Sequence, residues 1–527
     1  MTRLSSRSAH ARLTAPALVL LLLLALVASG FGGSSKAAGG TGNGGGTDPA
    51  TVAPPRSALY LSLVVHPQGT TKANVEQLGR TILATSDFPS ELKRLIAKAS
   101  AGTNDLDFAR DIEPWLGDRI ALALPNLANN DDGLLIAATT DDGKARAGMA
   151  RGITSPADAT YRGVRYQHSA DGKQAGGVVD HLALYGTEAD VKRAIDASQG
   201  ASLSETSAYK AAVERLPGDA LATGYLDLRS AITTAGAAAG QGAATGLFGS
   251  VLGNGIAGVG LGAYADADAI RLEVAVPGTG AIGGGLSGGD AASSLEGAPA
   301  GAWFGLGLGN VGSSLGKLLD ALSAGGGLGS IGVGALLGQA QQAIGLDIRK
   351  DLLAWMGSAH VFVSGTTRDT VGGALVVHSK DPAATRRAVD ALSTSIPRLM
   401  GKNTVAQFSG PASGFSIALG KTTRATIAVK GDTFIIAIGD AAFKQALAGG
   451  NRLGDAPAFK ASAGRLNGAR PVLYLDLQQV ADLVASLGGR KAQGAVDVLR
   501  RFTQLAAGGK ADGDVSRATI VAGVNVK

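Results

Sequence analysis

Apolar positions along this chain fall into two registers. Runs with β-branched residues or strict alternation mark strands: ALYLSLVVH at 58–66, IALAL at 120–124 and HVFV at 360–363. YRGVRYQHS with GGVVDHLALYG (161–169, 176–186) predicts a hairpin, and so does FSIALG with RATIAVKGDTFIIAIG (415–420, 424–439). Helical spacing appears at Val75, Leu78 and Ile82, and again at Leu92, Leu95, Ile96 and Ala99. GALVVHSKDPAATRRAVDAL (373–392) is a strand, then Asp381 as N-cap, Pro382 at the first helical position, then a helix. Its counterpart is GLLIAATTDDGKARAGMARGI (133–153). Thr187 and Asp190 resemble a capping box. The pattern predicts an α+β fold, each part a largely antiparallel mixed sheet packed with helices.

The pattern also repeats. LDFARDIEPWLG (106–117) returns as LDIRKDLLAWMG (346–357), 240 residues on, and uses two of the three tryptophans. GTEADVKRAI (186–195) matches GDAAFKQAL (439–447), and AYKAAVERLPGDALATGYLDL (208–228) matches AFKASAGRLNGARPVLYLDL (458–477). Matched blocks in the same order point to two tandem related units. In each opening phrase the aspartate, Asp111 or Asp351, stands where an N-cap satisfies free helical N–H groups. Gly117 and Gly357 stand where a helix stops in a left-handed conformation. Trp115 and Trp355 are expected to close a core rather than to form a ligand platform. These boundaries give a first unit at 54–277, a Gly/Ser-rich linker at 278–294 and a second unit at 295–527.

DIEPWLGDRIALALP, then the strand–helix at 181–196, then AAVERLPGDALATGYLDL, resembles an exported bacterial family, domain-of-unknown-function family 3352. PWLGDR is its most specific phrase. The second copy departs from it at Ala354, Ser358 and Ala359. The resemblance implies an exported, N-terminally anchored α+β protein, and brings no activity, cofactor or catalytic residue.

Residues 1–33 join a basic start, with Arg3, Arg7 and Arg12, to a leucine-rich stretch. This is a signal peptide or a single-pass anchor, and both export the remainder. Residues 34–53 read as a Gly-rich flexible linker. The net charge of +6 draws on that leader, and no dense basic run with interleaved aromatics follows, so nucleic acid is not an expected partner. With no cysteine, disulfides, thiol nucleophiles and cysteine-bound metals are excluded. Aromatics make up 4% of the chain, so its cores must be built from Leu, Val, Ile and Ala.

Candidate chemistry is sparse. Asp118 and Arg119 follow the first tryptophan and form either a ligand contact or a rim salt bridge. The six histidines are His10, His66, His168, His181, His360 and His378, and none is spaced as a local metal pair. His168 facing His181 across a hairpin is the one metal arrangement the spacing offers, against a reading as strand-surface histidines. GLSGG (285–289) and GSSLG (312–316) match a nucleophile elbow in a chain with 79 glycines, where such matches arise by chance. Only Ser314 has a strand before it and a helix after. GLGNVG (307–312) lacks the surrounding unit of a dinucleotide fold. Residues 230–265 and 321–346 carry no charge at all. They read as weakly packed insertions or, alternatively, as contacts for an apolar ligand or a membrane.

The expectation is an exported, membrane-tethered, non-enzymatic protein that binds a partner or organises the cell envelope, without cofactor or metal. Its expected partners are the membrane, through the N-terminal segment, and a lipid or an envelope protein. The alternative is a carrier or sensor of apolar molecules; a hydrolase comes third.

Overall fold

A computed structural model describes residues 47–88, 108–127, 133–231, 258–278, 289–323, 345–400, 405–420 and 423–526, with a few isolated positions between. Ten strands lie in the first part: β1 Leu59–Val64, β2 Leu116–Leu124, β3 Leu134–Thr139, β4 Ala157–Tyr161, β5 Val164–His168, β6 Ala175–Val179, β7 Leu182–Gly186, β8 Ala222–Asp227, β9 Gly258–Asp266 and β10 Ala269–Pro277. Ten more follow: β11 Ala302–Leu308, β12 Met356–Ser364, β13 Gly372–Ser379, β14 Val405–Phe408, β15 Ser413–Ala418, β16 Arg424–Lys430, β17 Thr433–Ile438, β18 Arg470–Asp476, β19 Phe502–Asp512 and β20 Val515–Val524.

All twenty form one sheet, and every pairing is antiparallel. The pairings run β4-β5-β6-β7-β3-β2-β1-β8-β9-β10, cross to β20, and return β19-β18-β11-β12-β13-β17-β16-β15-β14. The order is therefore palindromic about β10 and β20. Those two strands are joined from Ala269 opposite Gly523 to Pro277 opposite Val515.

Local hydrogen bonds recur with the strand order. Asp141 accepts from the N–H groups of Gly143 and Lys144 at the start of one helix, and Asp381 from those of Ala383 and Ala384 at the start of its counterpart. These helices are α2, Asp142–Arg151, and α7, Pro382–Met400; α1 is Gly69–Leu83. Between them lie α3 Glu188–Ser198, α4 Ser207–Val213, α5 Gly289–Glu296 and α6 Val311–Ser323. The last four are α8 Asp440–Leu447, α9 Pro457–Gly464, α10 Leu477–Gly488 and α11 Gln493–Leu499. The Leu203 N–H donates to Ala53 O at 2.9 Å, and the Leu453 N–H to Ala298 O at 2.7 Å. A ring pair recurs too: Tyr209 with Tyr225 at 5.7 Å, and Phe459 with Tyr474 at 5.3 Å.

One sheet face is buried beneath α3 and α4. There Tyr60, Ile136, Leu182 and Leu184 meet Val191 and Ile195. At the seam the same face carries charge. Glu273, 2% exposed, receives Arg271 and lies 3.9 Å from Arg517, and the Asn467 amide donates to it at 3.1 Å. The Arg271 guanidinium also lies 4.1 Å from the Tyr264 ring centre.

Three expected boundaries move. The linker expected over 34–53 ends earlier: Pro49–Thr51 is a short 3-10 turn, and Ala50, Val52 and Ala53 are buried against the first core. The linker expected over 278–294 gives way to α5, whose Ala291, Ala292 and Ser294 are buried. The uncharged stretch 230–265 ends in β9, a buried central strand. Small uncharged residues there serve close strand packing: a Cβ on Gly260 would lie 2.2 Å from Ala212 O. Most of the remainder of that stretch, most of 321–346, the leader, and Leu92, Leu95, Ile96 and Ala99 lie outside the described residues.

Candidate functional site

The repeated tryptophan phrase folds into a π-helical turn and then a strand: Phe108–Ile112 before β2, and Ile348–Leu353 before β12. Its spacing has a direct cause. The Trp115 indole N–H donates to Asp111 O at 2.5 Å, and the Trp355 indole N–H to Asp351 O at 2.8 Å. The ring thus satisfies a carbonyl that the widened turn leaves free. The tryptophan's own carbonyl receives the Thr140 N–H in the first part and the Lys380 N–H in the second.

Two expectations about this phrase are corrected. Asp351 is not the N-cap. Asp347 takes that role, accepting from the N–H groups of Arg349 and Lys350, while the Asp351 carboxylate accepts from the Asp347 N–H at 2.8 Å. Asp111 lies inside its turn as a fully buried carboxylate, held by Arg110 at 2.8 and 2.9 Å and also by Arg151. Gly117 and Gly357 are not left-handed helix stops; both lie in strands. Their reason is close approach: a Cβ on Gly357 would lie 2.6 Å from His378 O, and one on Gly117 3.0 Å from Ala138.

Asp118 and Arg119 sit in a β-bulge between Leu116 and Ile120. The second copy is one residue shorter there, since Ala359 pairs with Val377 as Ile120 pairs with Ala137. Asp118 lies 3.9 Å from His66 Nδ1, whereas the Arg119 charge acts on the buried phenols of Tyr60 and Tyr209.

The histidines do not converge as the spacing allowed. His168 pairs with Ala175 at the start of β6 and His181 follows its end, His168 at 3.7 Å from Glu188 and His181 at 3.2 Å from Asp142. Among the described residues no group of three His, Asp or Glu is placed to hold a metal. Ser314 is exposed in the first turn of α6, its N–H bonded to Asn310 O. The glycines of GLGNVG are packing glycines: a Cβ on Gly307 would meet Ala291 O, and one on Gly312 would meet Leu353 O, both at 2.0 Å.

A cleft of about 800 Å³ opens on the second part, lined by His360, His378, Lys430, Asp432 and Arg452 among others. His360 is 4% exposed, its Nδ1 lies 3.2 Å from Ser294 Oγ, and its ring lies 6.2 Å from that of His378. Burial, and then the neighbouring His378, push its pKa down to about 4, so it is neutral at pH 7. Ser294 is buried in α5, so the pair braces α5 on the sheet.

The larger feature is the other face of the sheet. One row of direct cross-strand partners runs Ala137, Ile120, Leu63, Ala222, Ala263, Leu272, Ile520, then Ala507, Leu473, Leu306, Val361, Leu375, Ile436 and Ile427. It crosses fourteen strands without a polar side chain. The neighbouring rows on this face add Leu135, Leu122, Leu61 and Leu261 on one side and Phe304, Val363 and Ile438 on the other. Most of these side chains are half-buried; Leu135 is 46% exposed, Ile438 52% and Ile520 36%. An antiparallel sheet normally turns a polar face to water. Here that face is apolar and helices cover its ends: Ala137 is buried with Ala145 and Met149 of α2, and Leu375, Ile436 and Ile427 pack against Ala388 and Val389 of α7, so the half-exposed part is the middle, at Leu63, Leu272, Ile520, Leu473, Leu306 and Val361.

A family model described as "Protein of unknown function (DUF3352)" matches residues 13–496. The chain belongs to that family. No curated protein matches it. Among solved structures it is similar to TP0453: crystal form IV at 10% identity and TM-score 0.26, covering 44% of this chain and 80% of that one. Crystal form I gives 11% identity and TM-score 0.23, covering 44% and 78%. At those values neither bears on activity.

In this DUF3352 protein the sequence motifs mark scaffold, and the apolar face escaped motif reasoning. It is spread over strands that one-dimensional spacing does not bring together. Its only local trace was the leucines and valines of runs such as ALYLSLVVH and AWFGLGL, which also fit strands buried on both faces.

Proposed function

We propose that the chain is an extracytoplasmic, non-enzymatic binding protein for apolar molecules, a lipid or a similarly greasy ligand, built by internal duplication. The support is the middle of the apolar row, where Leu272 and Ile520 meet across the seam and the side chains are half-exposed although a sheet is ordinarily polar there. The palindromic strand order and the paired hydrogen bonds support duplication of a unit over 54–277 and 295–527. The basic, leucine-rich start supports export and tethering by an N-terminal segment. Among the described residues no helix is long and apolar enough to cross a membrane, which says nothing of residues 1–33.

Titration with a dansyl-labelled acyl chain tests the reading. Emission should rise and saturate with the native chain. Leu135→Asp with Ile520→Asp, both at half-exposed apolar positions, should weaken binding about tenfold or more, since a carboxylate is costly beside buried hydrocarbon. No binding, or binding unchanged by both substitutions, would refute it. Capture of an envelope protein without lipid would favour the organising role instead.

A further inference from the structure

The C-terminal helical hairpin carries a second surface. Helix α10 has apolar residues at Val480, Leu483, Val484 and Leu487, spacing that draws one stripe along a helix. In a packed surface helix such a stripe is buried. Here Val480, Leu483 and Val484 are half-buried, and Leu487, near the tip, is 56% exposed. Across the turn, α11 buries Val496 but leaves Val498 49% exposed.

The tip between the helices, Gly489–Ala492, carries Arg490 and Lys491, both exposed. No acidic residue occurs from 483 to 496. Of the flanking acids, Asp482 pairs with Arg500 at 2.8 Å, whereas Asp497 keeps its charge and accepts from the neutral Gln493 amide at 2.8 Å. The two tip cations therefore outnumber the one acid without a cationic partner nearby, and they sit beside the exposed Leu487. Apolar exposure alone does not select an occupant; excess cations beside it select an anionic surface that is also greasy. That is the chemistry of an anionic lipid bilayer at its headgroup boundary.

We infer that the α10–α11 hairpin is a membrane-contact element, which seats Leu487 at an anionic bilayer with Arg490 and Lys491 among the headgroups. It uses residues outside the apolar sheet face, so it stands or falls separately from the ligand reading.

The absence of native cysteine allows a clean test. Full-length Leu487→Cys is labelled with an environment-sensitive NBD dye and mixed with phosphatidylglycerol or phosphatidylcholine vesicles. Ala170→Cys, an exposed turn position near the far end of the sheet, is the control, so anchoring by the leader alone is told apart from contact at the hairpin. The expected result is a blue shift and emission gain at position 487 with phosphatidylglycerol only, and none at 170. Arg490→Glu with Lys491→Glu should weaken that response about tenfold or more. An unchanged signal at 487, an equal response at 170, or equal responses to both lipids would overturn the inference. Both labelled sites are exposed, and circular dichroism of each variant confirms the fold before vesicles are added.

Discussion

Replacing Trp355 by phenylalanine isolates the bond that explains the repeated phrase. Phenylalanine keeps a ring near Phe434, which Trp355 meets edge-on at 5.2 Å. It removes the indole N–H and leaves Asp351 O without that donor. A lost hydrogen bond with its acceptor stranded costs about 1 to 3 kcal/mol. Trp355 is 2% exposed, so the smaller ring also gives up buried area worth about 1 kcal/mol. The loss should be about 2 to 4 kcal/mol. Trp115→Phe should cost a similar amount, because its indole makes the same bond and is 6% exposed. Urea unfolding followed by far-ultraviolet circular dichroism measures both. Since the seam pairs β10 with β20 along its whole length, either substitution should shift one shared transition. A change below about 0.5 kcal/mol in either variant would mean that the indole bond does not explain the conserved spacing within this chain.

Glu273→Ala should destabilise by about 1 to 3 kcal/mol, because the Arg271 guanidinium and the Asn467 amide lose a buried acceptor while Arg271 keeps Asp266 at 3.0 Å and Arg517 keeps Asp512 at 3.2 Å; thermal unfolding against wild type measures this. Gly307→Ala should prevent soluble folding, since the new Cβ would lie 2.0 Å from Ala291 O and 2.8 Å from Ala291 C; soluble yield beside Gly316→Ala, where nothing lies within 4 Å, is the check. His360 has a folded pKa below its ordinary value, so the unfolded chain binds its proton more readily. Stability is therefore complete above about pH 6.5 and falls as pH drops toward 4, by about 3 kcal/mol from this group. His360→Gln should flatten that part of the curve, seen as a smaller difference in urea midpoint between pH 7.5 and 4.5.

Much of the fold was legible because local rules governed it. The strand at 58–66, the Asp381 cap with Pro382 behind it, and the Thr187 cap on α3 all follow from neighbours in sequence. The Asp–Trp–Gly phrase was visible as a repeat but misread in detail. A capping aspartate and a left-handed glycine are common local solutions, whereas Asp351 bonds a backbone N–H four residues back and Gly357 makes room for His378 O. Distant contact decided the rest. Nothing near Ser294 in sequence signals His360, 66 residues away. Leu272 and Ile520 face each other only because the two parts share a sheet, and that pairing completes the apolar row.

A ligand held on the apolar sheet face should survive gentle purification. Native mass spectrometry of the full chain, purified from its own host under gentle conditions, tests it most directly. The expected result is mass above the polypeptide that is released as lipid on denaturation and reduced in the Leu135→Asp, Ile520→Asp variant. A bare polypeptide mass from native and variant chains alike would contradict it.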